Sequence, residues 1–185
     1  MTSLADLQTV ELVTGNLRLR RPLESDAADA LLMLQDPAVV QWHSAPEVVD
    51  GEAAKDWCRS GADWSRGEHA TFAIVDEAGD RLVGNITLGH IDQLDQRDAA
   101  IAYRVAPWAR GQGVASRAVD VVTKWAFETL QIERIKLEHS VPNPASCRVA
   151  TKCGYEFEGL LRSGYRDVSG TRHDAHIHAR LASSL

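Results

Sequence analysis

Val105-Ala106-Pro107-Trp108-Ala109-Arg110-Gly111-Gln112-Gly113-Val114-Ala115 joins a strand-like run to a helical one, with two glycines and a small alanine at the junction. Glycine lets the chain turn tightly and lets a ligand come close to the main chain. The free amides and dipole of a helix N-terminus then favour an anion. A pyrophosphate fits such a site. A helix start used only for packing has the same glycines, so the spacing by itself leaves both readings open. Two familiar nucleotide loops are excluded. No Gly-Lys-Ser/Thr ending is present, and the helix follows a strand inside a meander rather than the chain's first βα unit.

A second stretch is Val141-Pro142-Asn143-Pro144-Ala145-Ser146. Neither proline can donate to a ladder, so pairing must stop there. Neighbouring strands can then splay and leave amides and carbonyls for an extended ligand arm, or the prolines simply end a strand and start a helix. Asn143 is a natural N-cap, and the Ser146 hydroxyl can face either the capped backbone or a bound group. Further along, Asp174, His176 and His178 alternate onto one face of the last strand, where they could line an amine pocket or bind a metal. No fourth ligand is apparent beside them, a polar sheet face is the simpler reading, and no metal is expected.

The elements that must position these residues follow from periodicity. Leu17–Arg20 alternates as a strand stopped by Pro22, and Ser25 or Asp26 can cap a helix running to Asp36-Pro37. Glu52 to Trp64 reads as a second helix. His69–Val75 and Arg81–Ile91 form a hairpin around Glu77-Ala78-Gly79-Asp80, with Gly79 expected in the left-handed conformation. A polar connection, 92–97, leads to a third strand, Ala99–Val105. The longest helix starts at Gly113, with Val114, Ala118, Val121 or Val122, Trp125 and Leu130 on its apolar stripe. Glu133–Val141 is a strand, a helix from Asn143 ends at Gly154, and Tyr155–Arg162 and His173–Leu181 are closing strands. Runs of strands mixed with single crossover helices predict an α+β fold in one domain, 1–185, with its core over about 17–181.

A chain of 185 residues with 44% hydrophobic and 25% charged side chains can bury one substantial core. Its formal charge of -6 repels phosphate backbones, so nucleic acid is not an expected partner. Cys58, Cys147 and Cys153 make an odd set without a short-spaced pair, which argues against a disulfide framework or zinc knuckle and points to a reducing cytoplasm. No run approaches the ~20 apolar residues of a membrane span.

Arg110-x-x-Gly113-x-Ala115 resembles the Gln/Arg-x-x-Gly-x-Gly/Ala motif of the GNAT superfamily of N-acetyltransferases. Ala100–Val105 resembles that family's fourth strand. Asn143-x-x-Ser146-x-x-Val149-x-x-Lys152-x-Gly154-Tyr155-x-x-Glu158-Gly159 is similar to the second signature of its ribosomal-protein N-terminal acetyltransferase branch. The resemblance implies a GNAT fold, a mixed, mostly antiparallel sheet of about seven strands with flanking helices. It implies acetyl-CoA as co-substrate, held by Val105, Arg110, Gly111, Gln112, Gly113, Val114, Ala115, Asn143 and Ser146, with the pantetheine arm between splayed strands. Arg117, Arg148 and Lys152 could meet its phosphates. Ser146 would assist the departing CoA sulfur, and the acceptor would be a protein N-terminal amine attacking the thioester directly. A small amine, such as a polyamine or aminoglycoside, and a CoA-binding module without catalysis are the alternatives. Ala150 stands where many members place a tyrosine acid, and Ala100 where the branch places glutamate, so the base is open. Asp98 shares the face of Ala100 and is the first candidate, with Glu138, His90 and Asp174 behind it. Trp42 and His43 fall where the family's substrate-binding segments begin, Asp174 completes the candidate substrate set, and the branch's frequent dimers imply a homodimer.

Overall fold

The computed structural model describes Leu4 and residues 10–42, 48–91 and 96–184. Eight strands form one sheet: β1 (Leu12–Thr14), β2 (Leu17–Arg20), β3 (His69–Asp76), β4 (Arg81–Gly89), β5 (Asp98–Val105), β6 (Arg134–Ser140), β7 (Glu156–Arg166) and β8 (Arg172–Leu181). Among the described residues five α-helices accompany them: α1 (Ala27–Leu34), α2 (Pro37–Gln41), α3 (Gly51–Ala62), α4 (Val114–Thr129) and α5 (Pro144–Lys152). The sheet order is β1-β2-β3-β4-β5-β6-β8-β7. Every neighbouring pair is antiparallel except β5 with β6. The expected seven strands become eight because Leu12–Thr14 hairpins onto β2 through Gly15, at φ 61°. That strand is three residues long, too short for alternation to reveal.

Strand alternation divides the core. Phe72 and Ile74 of β3 face α4, where Trp64, Phe72 and Trp125 pack with centroids 5.0 to 6.4 Å apart. Ala73 and Val75 face the other way, onto Ala27, Ala30 and Met33 of α1 and Ala54 and Cys58 of α3. Two local expectations are corrected. Asp26 precedes α1 but its carboxylate does not cap that helix. It accepts both terminal nitrogens of Arg20, each at 2.8 Å, and the Leu23 amide at 2.8 Å. A buried guanidinium competes better for that carboxylate than helix amides open to water. In the β3–β4 turn the left-handed residue is Asp80, at φ 47°, rather than Gly79, a conformation that aspartate tolerates.

Gly84 of β4 has a different reason to be glycine. A Cβ there would stand 2.5 Å from the Arg104 carbonyl oxygen and 3.3 Å from Ile74 Cδ1. Gly84→Ala is therefore expected to lower stability by about 1–3 kcal/mol, through overpacking. Urea unfolding should show a lower midpoint with an unchanged m-value, and an unchanged midpoint would refute the close approach.

Candidate active site

β5 and β6 pair only over Asp98–Ala100 with Arg134–Lys136. Beyond that point they part, while β5 stays zipped to β4 as far as Val105 and β6 to β8 as far as Ser140. The splay thus opens well before Pro142, and Val141 still donates its amide to the Asp174 carbonyl. The expectation that the prolines part the strands is corrected. The two strands run in parallel, and each keeps the ladder to its outer neighbour, so the sheet holds together while the backbone groups facing the gap are left without a strand partner. The Ala106 amide donates to the Val83 carbonyl at 2.9 Å. By alternation the amides of Tyr103 and Val105 point the other way, into the gap.

The gap is a cleft of about 640 Å³. Ile101–Val105 and Leu137–Ser140 form its sides, the starts of α4 and α5 its two rims, and Trp42 and Tyr165 one end. At α4, Gly111 and Gly113 take φ 74° and 73°, Gly113 is the N-cap, and no side chain caps this sixteen-residue helix. The first amides of a helix lack intrahelical partners, so an anion is the natural cap here. A Cβ at either glycine would meet nothing within 4 Å. The space beside them is open to a ligand.

The structure brings together Val105, Arg110, Gly111, Gly113, Val114, Ala115, Asn143 and Ser146, all lining the cleft, with Arg148 and Lys152 of α5 beside them. Arg110 also pairs with Asp36, whose carboxylate caps α2 at the Ala38 and Val39 amides. Gln112 does not line the cleft and donates to the Trp108 carbonyl at 3.2 Å. Arg117 is held by Asn16 Oδ1, at 2.8 Å, in the β1–β2 turn. At α5, Asn143 Oδ1 accepts the Ser146 amide at 3.3 Å, so the cap falls to Asn143 and the Ser146 hydroxyl is not needed for it.

Asp98 sits on the paired part of β5, 3.6 Å from Lys136 Nζ and away from the cleft lining. Asp174 accepts the Ser163 amide in the β7–β8 hairpin and is likewise absent from the lining. His43 lies outside the described residues. Trp42 lines the cleft with Tyr165, its ring 6.4 Å from that phenol ring and 6.1 Å from His173, and the Tyr165 hydroxyl donates to the Trp42 carbonyl.

Tyr103 and Tyr165 are not among the residues singled out from the sequence, and Glu138 stands there only beside His90 and Asp174 as an alternative to Asp98. The Tyr103 hydroxyl is buried without a partner in hydrogen-bond geometry. Burial pushes its phenol up to about 12, an effect that the neighbouring Ser146 hydroxyl partly offsets, so it stays protonated at neutral pH. Burial lowers Arg104 to about 10, opposed by Tyr165, and it too keeps its proton. Glu138 is the one carboxylate among the described residues lining the cleft. Alternation could have put Tyr103 on the face of Val105, but which strand edge opens is not a local property.

A sheet split between two parallel strands, with an uncapped glycine-led helix at the split, is the architecture of an N-acetyltransferase. Residues 16–156 match the Acetyltransferase (GNAT) domain, and the chain belongs to that family. It is 29% identical over 172 residues to the uncharacterized N-acetyltransferase p20 of Bacillus licheniformis, covering 92% of this chain and 95% of that protein. Over 119 residues it is 29% identical to the ribosomal-protein-serine acetyltransferase of Escherichia coli (strain K12), 64% of each chain. The fold matches that of Mycobacterium smegmatis RimJ in complex with CoA-disulfide, with a TM-score of 0.80 at 24% identity over 96% of this chain and 88% of that one. No helix among the described residues is long and apolar enough to cross a membrane.

Proposed function

We propose that this N-acetyltransferase moves the acetyl group of acetyl-CoA to the α-amine of a protein N-terminus. The observation that carries the choice of acceptor is that the cleft offers one carboxylate among the described residues, Glu138. An α-amine, with a reference pKa near 7.7–8.0, is already partly neutral at pH 7, whereas a lysine-like amine near 10.4 is almost wholly charged and asks far more of that one carboxylate. The relative from Escherichia coli, named for a ribosomal-protein serine, supports the same acceptor class.

In this reading the pyrophosphate caps α4 at Gly111–Ala115, with Arg148 and Lys152 across the cleft, and the pantetheine amides use the unpaired edge of β5. The amine enters past Trp42 and Tyr165 and attacks the thioester carbonyl. Glu138, directly or through water, takes its proton. The Val105 amide faces the carbonyl oxygen as it gains charge, and the sulfur leaves beside the Ser146 hydroxyl at the start of α5. Tyr103, kept protonated by burial, stands beside Ser146 as a second donor to that thiolate.

The test is free-thiol release from acetyl-CoA with a panel of peptides, polyamines and aminoglycosides. Peptides with a free N-terminus should turn over and N-blocked copies should not. Turnover confined to small amines would overturn the acceptor assignment, and CoA stabilisation without turnover would indicate a binding module. Gly113→Leu is expected to weaken CoA binding at least about 100-fold, or 2.7 kcal/mol, since the side chain enters the open cradle at a strained φ. Calorimetric titration measures this, and wild-type affinity would remove the cradle from the site.

A further inference from the structure

His139, Cys147, His176 and His178 come from β6, α5 and β8, and their candidate ligand atoms all lie within 4.8 Å of one another. The sheet order assembles them. β8 lies between β6 and β7, with His176 opposite His139 and His178 opposite Leu137, so the three imidazoles share one face. Their ring centroids are 5.3, 5.4 and 6.1 Å apart, with Phe157 5.0 and 5.5 Å from His176 and His178. The turn into α5 then carries Cys147 to the same point.

His139 and His178 are 4% and 3% exposed. Even so, Nε2 of His139, Nδ1 of His176 and both ring nitrogens of His178 lack a hydrogen-bond partner. His178 feels the Tyr155 carbonyl, but neither of its nitrogens meets hydrogen-bond geometry with it. Buried polar atoms are normally satisfied, and leaving one without a partner is destabilising. Several orphaned nitrogens converging with a thiol therefore call for a common partner. His139 Nδ1 lies 2.9 Å from the Ser140 carbonyl oxygen, and with its proton there the Nε2 lone pair is left for that partner. Ligating histidines are oriented by that kind of backbone contact.

We propose that these four side chains form a Zn²⁺ site of His₃Cys type. Imidazole and thiolate suit zinc and disfavour magnesium or calcium, and four protein ligands close a tetrahedral site. Zn–N and Zn–S bonds of about 2.0–2.3 Å set ligand atoms roughly 3.3–3.8 Å apart, so the cluster contracts by about 1 Å on binding. Cys147 and His176 are half-buried, which gives the ion an entry path and leaves their rotamers room to close. The Cys147 thiol loses its proton to solvent as the Zn–S bond forms. Bound zinc would clamp the first turn of α5, and with it Ser146, to β6 and β8.

The test uses the full chain stripped with a chelator and titrated with Co²⁺, then Zn²⁺. One equivalent of Co²⁺ should give intense visible bands of tetrahedral geometry and a near-ultraviolet thiolate-to-metal band, both bleached by Zn²⁺. Cys147→Ser should lose the near-ultraviolet band, and His176→Ala should weaken Zn²⁺ binding at least about tenfold, with circular dichroism confirming that both variants fold. Absence of the band in the wild type, its persistence in Cys147→Ser, or unchanged affinity in His176→Ala would each overturn the site. None of these readouts depends on acetyl transfer.

Discussion

Ser146→Ala is expected to lower kcat about 100-fold while leaving CoA affinity within about twofold of wild type. The leaving group in this reaction is a thiolate, whose charge appears only as the C–S bond breaks. A hydroxyl placed beside the sulfur acts on that charge and hardly at all on the bound ground state. Because Asn143 takes the Ser146 amide as the cap of α5, removing the hydroxyl should not unwind the helix. Single-turnover rates and calorimetric CoA titration on the same variant separate the two effects. Loss of affinity without loss of rate would make Ser146 a binding residue only, and an unchanged rate would remove it from the chemistry. Tyr103→Phe is the companion measurement. If Tyr103 shares the donation, the double variant should be less than multiplicatively slower than the two single ones.

Asp26→Ala is expected to cost about 3 kcal/mol of folding stability. Side chains of Arg20 and Asp26 are 9% and 5% exposed and meet in a two-pronged pair, with the Leu23 amide as a third donor to the carboxylate. Removing the carboxylate strands a buried guanidinium, which in comparable pairs costs about 3–5 kcal/mol. The lower end applies because Arg20 also donates to the Arg21 carbonyl and keeps one neighbour. Urea or guanidinium unfolding at neutral pH reads the change directly. Replacing both partners, Arg20→Met with Asp26→Leu, should recover most of the loss, since no charge is then left buried. A loss below about 1 kcal/mol for Asp26→Ala would mean that water reaches Arg20 in the folded protein.

Local chemistry made several features of this protein readable from its residues. Gly111, Gly113 and the apolar stripe from Val114 to Leu130 announce a glycine-led helix start, because backbone freedom and a 3.6-residue period are properties of short segments. Asn143 before Pro144 announces a capped helix for the same reason, and the joint spacing of Arg110, Gly113, Asn143, Ser146 and Gly154 carried the family resemblance. The tertiary structure decided which strand edges part and what they enclose. Asp98 and Ala100 share a face by alternation, but Asp98 lies where β5 is still paired, and the cleft starts only beyond Ala100. Glu138 reaches the cleft because β6 leaves β5 after Lys136 while staying paired to β8, a strand distant in sequence. His176 and His178 looked like a polar sheet face while His139 and Cys147 were merely distant residues. Periodicity tells which face a side chain takes, but the neighbour across a strand is set by the order of strands in the sheet, and the insertion of β8 between β6 and β7 is a property of the whole fold.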